Sequence, residues 1–258
     1  MVNYVYLLYI VDSGILGLGF VLIFFFVMII SAIIVRRRDE PLLREIPSYS
    51  RLKRSINLSI ESGQRLHLSL GSGGINYMQG GSALAGLSLL KRLYRMACLS
   101  DRPPVATSGD GTIGVLSRDS IRSVYEEVGV REEYEPTSGQ VSGLTPGSYI
   151  AGTLPVILDQ QVSTNILMGH FNSEIALLVD ASERRGSLTV AGSDNITAQA
   201  VGYASTEDLL VGEELYASGA YIQASTMHVA SLHAQDFLRW AIVSVILVAG
   251  ALKLAGVL

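Results

Sequence analysis

Two uncharged or nearly uncharged apolar runs frame the chain. The first, Gly14–Val35, reads GILGLGFVLIFFFVMIISAIIV, and its 22 residues carry no charge. At ~1.5 Å rise per residue that run reaches about 33 Å, enough to cross ~30 Å of hydrocarbon. The second, Trp240–Leu258, reads WAIVSVILVAGALKLAGVL. Its one charge, Lys253, sits about two turns from the end and can snorkel outward. The first run predicts a retained anchor and not a cleaved leader. No Lys or Arg precedes it, it is too long for the apolar region of a signal peptide, and its basic cluster comes after it.

Between the runs the pattern alternates between periods of two and of 3.6 residues. Tyr49–Ser62 predicts a helix stopped at Gly63, although INLSI also alternates like a strand. Arg65–Leu70, RLHLSL, predicts a strand, and Ser82–Leu99 an amphipathic helix. Pro103–Thr107 is a short apolar run before a helix that ends at Val128. A weak strand is expected at Gln140–Leu144 and a helix at Pro146–Val162, with Pro155 working against it. Asn165–Gly169 and Ser187–Ala191 predict strands, followed by helices at Ser173–Arg185 and Asn195–Ser205. From Glu207 the chain reads as mostly helical, able to run unbroken into the second apolar run. Strands alternating with helices imply βαβ units joined by right-handed crossovers. The expected fold is therefore an open, doubly wound, mostly parallel α/β sheet of the Rossmann type, with about five strands. The expected organisation is an extracytoplasmic 1–13, a membrane helix at 14–35, a basic linker at 36–54, an α/β domain at 55–236 and a second membrane helix at 237–258.

Composition narrows the classes. Apolar residues make up 49% of the 258 and charged residues 16%, with a mean hydropathy of +0.38, which excludes a disordered chain. The single Cys98 excludes an intrachain disulfide framework. A net charge of −4 and a pI near 5.6 argue against nucleic acid as a partner. From Arg36 to Arg54 seven basic residues face three acids, and Arg36, Arg37 and Arg38 directly follow the first run. The positive-inside rule puts that side in the cytoplasm and both termini outside, and the cluster suits anionic lipid headgroups. From Asp119 to Asp236 four basic residues face sixteen acids. That surface keeps the domain soluble or meets a basic partner. Gly14, Gly17 and Gly19, and Ala251 with Ala255, form small-residue faces that suit packing against another copy or another membrane protein.

Four expected strand ends run into small polar loops: Gly71-Ser72-Gly73-Gly74, Ser108-Gly109-Asp110-Gly111-Thr112, His170-Phe171-Asn172-Ser173-Glu174 and Gly192-Ser193-Asp194-Asn195. A parallel sheet gathers such loops at one edge, where open α/β folds bind ligands. The candidate ligand-binding residues are Ser72, Gly73, Gly74, Ser108, Gly109, Asp110, Gly111, Thr112, His170, Asn172, Glu174, Ser193, Asp194 and Asn195. Taken singly, the same residue types are ordinary turn and N-cap residues. His170 and Glu174, four apart, would share a helix face, but no third metal ligand stands near them in sequence, so no metal is expected. Gly71-Ser72-Gly73 lacks the spacing of a G-x-S-x-G nucleophile elbow, and Cys98 has no His near it in sequence. Asp110 and Asp194 would form a carboxylate pair only if the strand order brings their loops together. No catalytic residue and no cofactor is assigned.

Ser108-Gly109-Asp110-Gly111-Thr112 resembles the GGDGT element of lipid and NAD kinases, in which the matching glycines, aspartate and threonine cradle nucleotide phosphates. Ser108 replaces the first glycine, and Ile113-Gly114-Val115-Leu116 stands where acidic or amide residues are expected. Across MGHFNSEIALLVDASERRGSLTVAGSDN, VGEELYASGAYI and HVASLHAQDFLRW the chain resembles a family of bacterial membrane proteins of unknown function. That resemblance implies a bacterial source and an α/β domain tethered to the cell membrane, and brings no activity. The expected function is binding of a small anionic ligand, a nucleotide among the candidates, in regulation or assembly. The alternatives are a membrane-tethered phosphotransferase or hydrolase, and a structural subunit of a membrane complex.

Overall fold

The computed structural model describes residues 2–36, 43–75, 80–222 and 226–256. Arg37 and Arg38 lie outside them, as do residues 76–79. In chain order the elements are α1 (Val2–Arg36), α2 (Pro47–Glu61), β1 (Arg65–Gly71), α3 (Gly80–Ala97), β2 (Val105–Ser108) and α4 (Gly111–Val128). Then come β3 (Gly139–Val141), α5 (Pro146–Asp159), β4 (Val162–His170), α6 (Ile175–Arg185), β5 (Leu188–Ser193) and α7 (Ile196–Ser205). The chain closes with β6 (Asp208–Leu210), α8 (Glu213–Tyr216), α9 (Ser218–Tyr221) and α10 (Thr226–Leu254). Two compact units result, one of Leu43–Ala224 and one of the two terminal segments.

In the terminal unit, α1 packs against α10. Gly17–Arg36 and Thr226–Leu254 are long and apolar enough to cross a membrane, with mean hydropathies of 3.1 and 1.9. Among the described residues, no heavy atom of another element comes within 4 Å of where a Cβ on Gly14, Gly17 or Gly19 would sit, so the glycine face is not the α1–α10 contact.

The Leu43–Ala224 unit is a six-stranded, all-parallel sheet in the order β3-β2-β1-β4-β5-β6. Helices cover both faces. Leu66, Leu68 and Leu70 of β1, Ile166 and Met168 of β4, and Val190 of β5 pack under α2, α3 and α4. Leu167 and Ala191 pack under α5, α6 and α7 with Tyr149, Phe171 and Leu178. Period two puts these apolar positions on alternate faces of a sheet covered on both sides, and polar His67, Ser69 and Asn165 are buried with them. Local chemistry sets the helix limits. Pro47 opens α2, Thr145 and Ser148 form a capping box on α5, and left-handed glycines, Gly129 and Gly186, follow α4 and α6.

Two expectations are corrected here. The sheet has six strands, not about five, and the tail from Glu207 is not one helix, because β6 interrupts it. At three residues, Asp208-Leu209-Leu210 is too short to show a period, and pairing with β5 makes it a strand. Asp208, buried, accepts from Nε and Nη2 of Arg51 on α2 at 2.7 and 2.6 Å, which joins β6 to the first layer. Pro155 does not end α5, which continues to Asp159.

The two ends of this unit are held together. The rings of Tyr49 and Tyr221 stack at 4.7 Å with 7° between their planes. Tyr49 donates to the Glu214 carbonyl and Tyr221 to the Arg44 carbonyl, each at 2.6 Å, and Arg44 pairs with the Glu214 carboxylate. Burial pushes the Tyr49 phenol up, so it stays a donor at any physiological pH.

Candidate functional site

In this strand order the direction of winding reverses between β1 and β4. Open α/β folds receive ligands at the carboxyl edge beside such a reversal, a place called the crevice below. Backbones crowd together at its floor. Gly71 has φ of +71°, and a Cβ on it would lie 2.4 Å from the His170 carbonyl oxygen. A Cβ on Gly169 would lie 2.0 Å from the Leu70 oxygen. Only glycine fits at either place. The Ser72 N–H then donates to His170 O at 2.9 Å, and the Gly109 N–H to Gly71 O at 2.8 Å, which fixes three loops to one another. Ser72, Gly73 and Gly74 follow directly.

On the β4–β5 side six of the candidate residues meet. His170 Nδ1 lies 2.7 Å from Asp194 Oδ1, and their side chains are 14% and 13% exposed. Asn195 Nδ2 donates to Asn172 Oδ1 at 2.6 Å, and its own Oδ1 accepts from Thr197 N at 2.9 Å as the N-cap of α7. Ser193 Oγ accepts from Phe171 N at 3.1 Å. Glu174 Oε1 accepts from Asn172 N at 3.0 Å. His170 ends β4 and Glu174 precedes α6, so the two do not share a helix face; the histidine's partner is Asp194 instead. Among the described residues no group of three or more His, Cys, Asp or Glu could hold a metal ion.

Two further residues complete this cluster and were not singled out by sequence. Ser82, in the first turn of α3, donates to Asp194 Oδ2 at 3.2 Å. Tyr216 on α8 lies 3.4 Å, at Cε1, from where a Cβ on Gly81 would be. Burial and the nearby Asp194 carboxylate raise its phenol. Neither carries a local signal; each is brought in by the packing of α3 and α8 across the sheet edge.

The β2 loop is different. Asp110 Oδ1 accepts from Ile113 N at 3.0 Å and caps α4, with Gly111 and Thr112 as the first residues of that helix. Ser108 is buried and donates to the Asp110 carbonyl at 3.3 Å. Asp110 and Asp194 do not form a pair. Their strands, β2 and β5, have β1 and β4 between them, which at ~4.8 Å per strand separates the loops by roughly 14 Å. Asp110→Ala is expected to cost about 1 kcal/mol as a lost cap. Thermal unfolding should show that loss.

Beneath the crevice runs a buried polar seam. His67 is fully buried, with Nδ1 2.6 Å from Asn165 Oδ1 and Nε2 2.9 Å from Thr107 Oγ1. Asn165 Nδ2 donates to Ser182 Oγ at 2.6 Å, so its Oδ1 faces the histidine and His67 Nδ1–H is the donor. Nε2 then accepts from Thr107. Tyr149 bonds Ser69 and lies 3.4 Å from Thr107. Burial pulls the His67 pKa down to about 4, against the raising effect of the Asn165 bond, so the ring is neutral at pH 7. A separate open depression of about 750 Å³ lies along β6 and the start of β5, lined by Thr189, Tyr203, Glu207 and Val211 among others, and holds none of the candidate residues.

The crevice thus offers a histidine oriented by a carboxylate, two amides and a small-residue floor. No curated protein and no solved structure matches the chain. A family model described as "Domain of unknown function (DUF6754)" matches residues 10–257, nearly the whole length, and the chain therefore belongs to the DUF6754 family.

Proposed function

We propose that this protein is a membrane-anchored module whose α/β unit binds a small anionic ligand at the β1–β4 crevice, in a regulatory or assembly role. One observation carries the reading. The nearly buried His170–Asp194 pair stands at the strand-order reversal, where parallel sheets present their loops to ligands. Hydrogen-bonded to Asp194 through Nδ1, His170 leaves Nε2 available to a ligand. The two apolar helices support the anchor. The excess of Lys and Arg after the first of them, beginning with Arg36, supports a cytoplasmic α/β unit on the inner face of a bacterial cell membrane, with both termini outside. The same cluster suits anionic lipid headgroups.

The His170–Asp194 bond also favours a second reading, a phosphotransferase or hydrolase in which Asp194 orients His170 as general base. Native mass spectrometry of the full-length protein released from mild detergent tests the first. The expected spectrum shows a retained small-molecule mass that is absent from His170→Ala and Asp194→Ala. A bare protein mass, or the same adduct on both variants, removes the site from consideration. Turnover of a nucleotide with Mg²⁺ and lipid supplied, lost in His170→Ala, moves the assignment to the enzyme.

A further inference from the structure

Three of the seven Lys and Arg between Arg36 and Arg54 sit on α2, a helix packed onto the sheet. Its buried side carries Tyr49, Leu52, Ile56 and Ser59. At about 100° per residue, Arg54 stands directly opposite these, with Arg51 and Lys53 flanking it. All three cations are exposed. Arg51 is committed to Asp208, whereas Lys53 and Arg54 pair with no carboxylate among the described residues. Exposed Ser50 and Asn57 share the face, as does Leu58, which is 57% exposed. The one acid on α2, Glu61, is its last residue. Most of the remaining charge has the opposite sign, with four basic residues against sixteen acids from Asp119 to Asp236.

Chain length and charge select the occupant of this face. Residues 37–46 join α1 to α2 and reach at most about 40 Å, so α2 stays close to any bilayer that α1 crosses. An anionic leaflet attracts Lys53 and Arg54 and repels the acidic remainder of the unit. Leu58 adds an apolar side chain that can sink between headgroups. We infer that the exposed face of α2, centred on Lys53 and Arg54, lies on the anionic lipid headgroups of the membrane that anchors the chain. The contact turns one face of the α/β unit toward the bilayer. It rests on the membrane-anchor reading above and adds a second lipid contact, on the folded unit, to the one proposed at Arg36.

Spin-label accessibility of the full-length protein in lipid nanodiscs tests it. The label is carried by Asn57→Cys on α2 or, as a control, by Leu177→Cys on α6 in the opposite layer, where the side chain is 55% exposed. Cys98 is buried and stays in place. Each Lys or Arg near an anionic leaflet favours contact about fivefold, so two favour it roughly thirtyfold. Replacing about 30% of a phosphatidylcholine bilayer by phosphatidylglycerol is therefore expected to cut collisions of the α2 label with a water-soluble nickel chelate at least about threefold, and to leave the α6 label within about 1.5-fold. High salt should restore the α2 value. Adding Lys53→Glu and Arg54→Glu should return the α2 label to its value in neutral lipid, with Tm there within about 2 °C because both side chains are exposed. Equal accessibility of the α2 label in the two lipids overturns the inference and leaves this face to a soluble partner. An equal drop at both labels, or a drop that survives the double substitution, overturns it as well, because another surface then touches the lipid. A chain that does not enter nanodiscs overturns the anchor reading, and this inference with it.

Discussion

Replacing Gly71 with Ala is expected to lower the unfolding free energy by about 3 kcal/mol and to abolish the ligand binding proposed for the crevice. Two effects add. A left-handed conformation costs a residue with a Cβ about 1–2 kcal/mol, and the Gly71 φ of +71° is left-handed. The new methyl group would also lie 2.4 Å from the His170 oxygen, with that residue's N at 2.7 Å and C at 2.9 Å. These are backbone atoms of a paired strand, so relief means moving β1 and β4 apart, and overpacking of this kind costs about 1–3 kcal/mol. In a unit of this size about 3 kcal/mol corresponds to roughly 6–12 °C in Tm. Movement of His170 would disturb its bond to Asp194 as well. Differential scanning calorimetry of the detergent-solubilised protein reads the stability, and native mass spectrometry reads the ligand. A Tm within about 2 °C of wild type would mean that the β1–β4 edge yields easily and that Gly71 is not needed for close approach.

The second large effect is in acid. The His67 pKa is about 4 in the folded protein and about 6.5 in an unfolded chain. Between those values the unfolded state binds the proton and the folded state does not, so stability rises with pH. The stabilisation is fully present above pH 6.5 and is lost as pH falls toward 4. From pH 7.5 to 5.0 the loss from this one group comes to about 2 kcal/mol. Protonation at Nε2 would put a charge in the seam and reverse the bond with Thr107, with Asn165 and Ser182 already committed on the other side. His67→Gln is therefore expected to be less stable than wild type at pH 7.5 but to lose most of the slope between pH 7.5 and 5.0. Chemical denaturation at both pH values checks this. An equal slope in the two proteins would show that His67 is not the titrating group.

These effects come from positions that the linear pattern represents unequally. Charge-free length alone marks α1 and the end of α10 as able to span a bilayer, since hydrocarbon thickness is a simple length requirement. Alternation of strands with amphipathic helices implies a parallel, doubly wound sheet, because crossovers long enough to hold a helix permit little else. Within the candidate site, polar loops at strand ends are visible as composition, and His170, Asn172, Glu174, Ser193, Asp194 and Asn195 can be named from it. Their pairing cannot. His170 and Asp194 are 24 residues apart, and only the adjacency of β4 and β5 makes them partners. His67 and Ser69 alternate onto one face of β1, yet which helix covers that face, and that Asn165, Thr107 and Tyr149 await them there, depends on strand order.

The sequence by itself determined the membrane-spanning lengths, the α/β class and the two-sided burial of the strands. All of these follow from period, length and side-chain chemistry within about one turn or one strand. The tertiary structure decided the sixth strand, the β3-β2-β1-β4-β5-β6 order and every contact that crosses it. It set Asp110 to capping and Asp194 to His170, and it carried Ser82 and Tyr216 to the crevice. The physical reason is the same throughout. Hydrogen bonding between neighbouring strands and packing of helices across the sheet act between residues far apart in the chain, and no local pattern encodes which distant strand lies alongside.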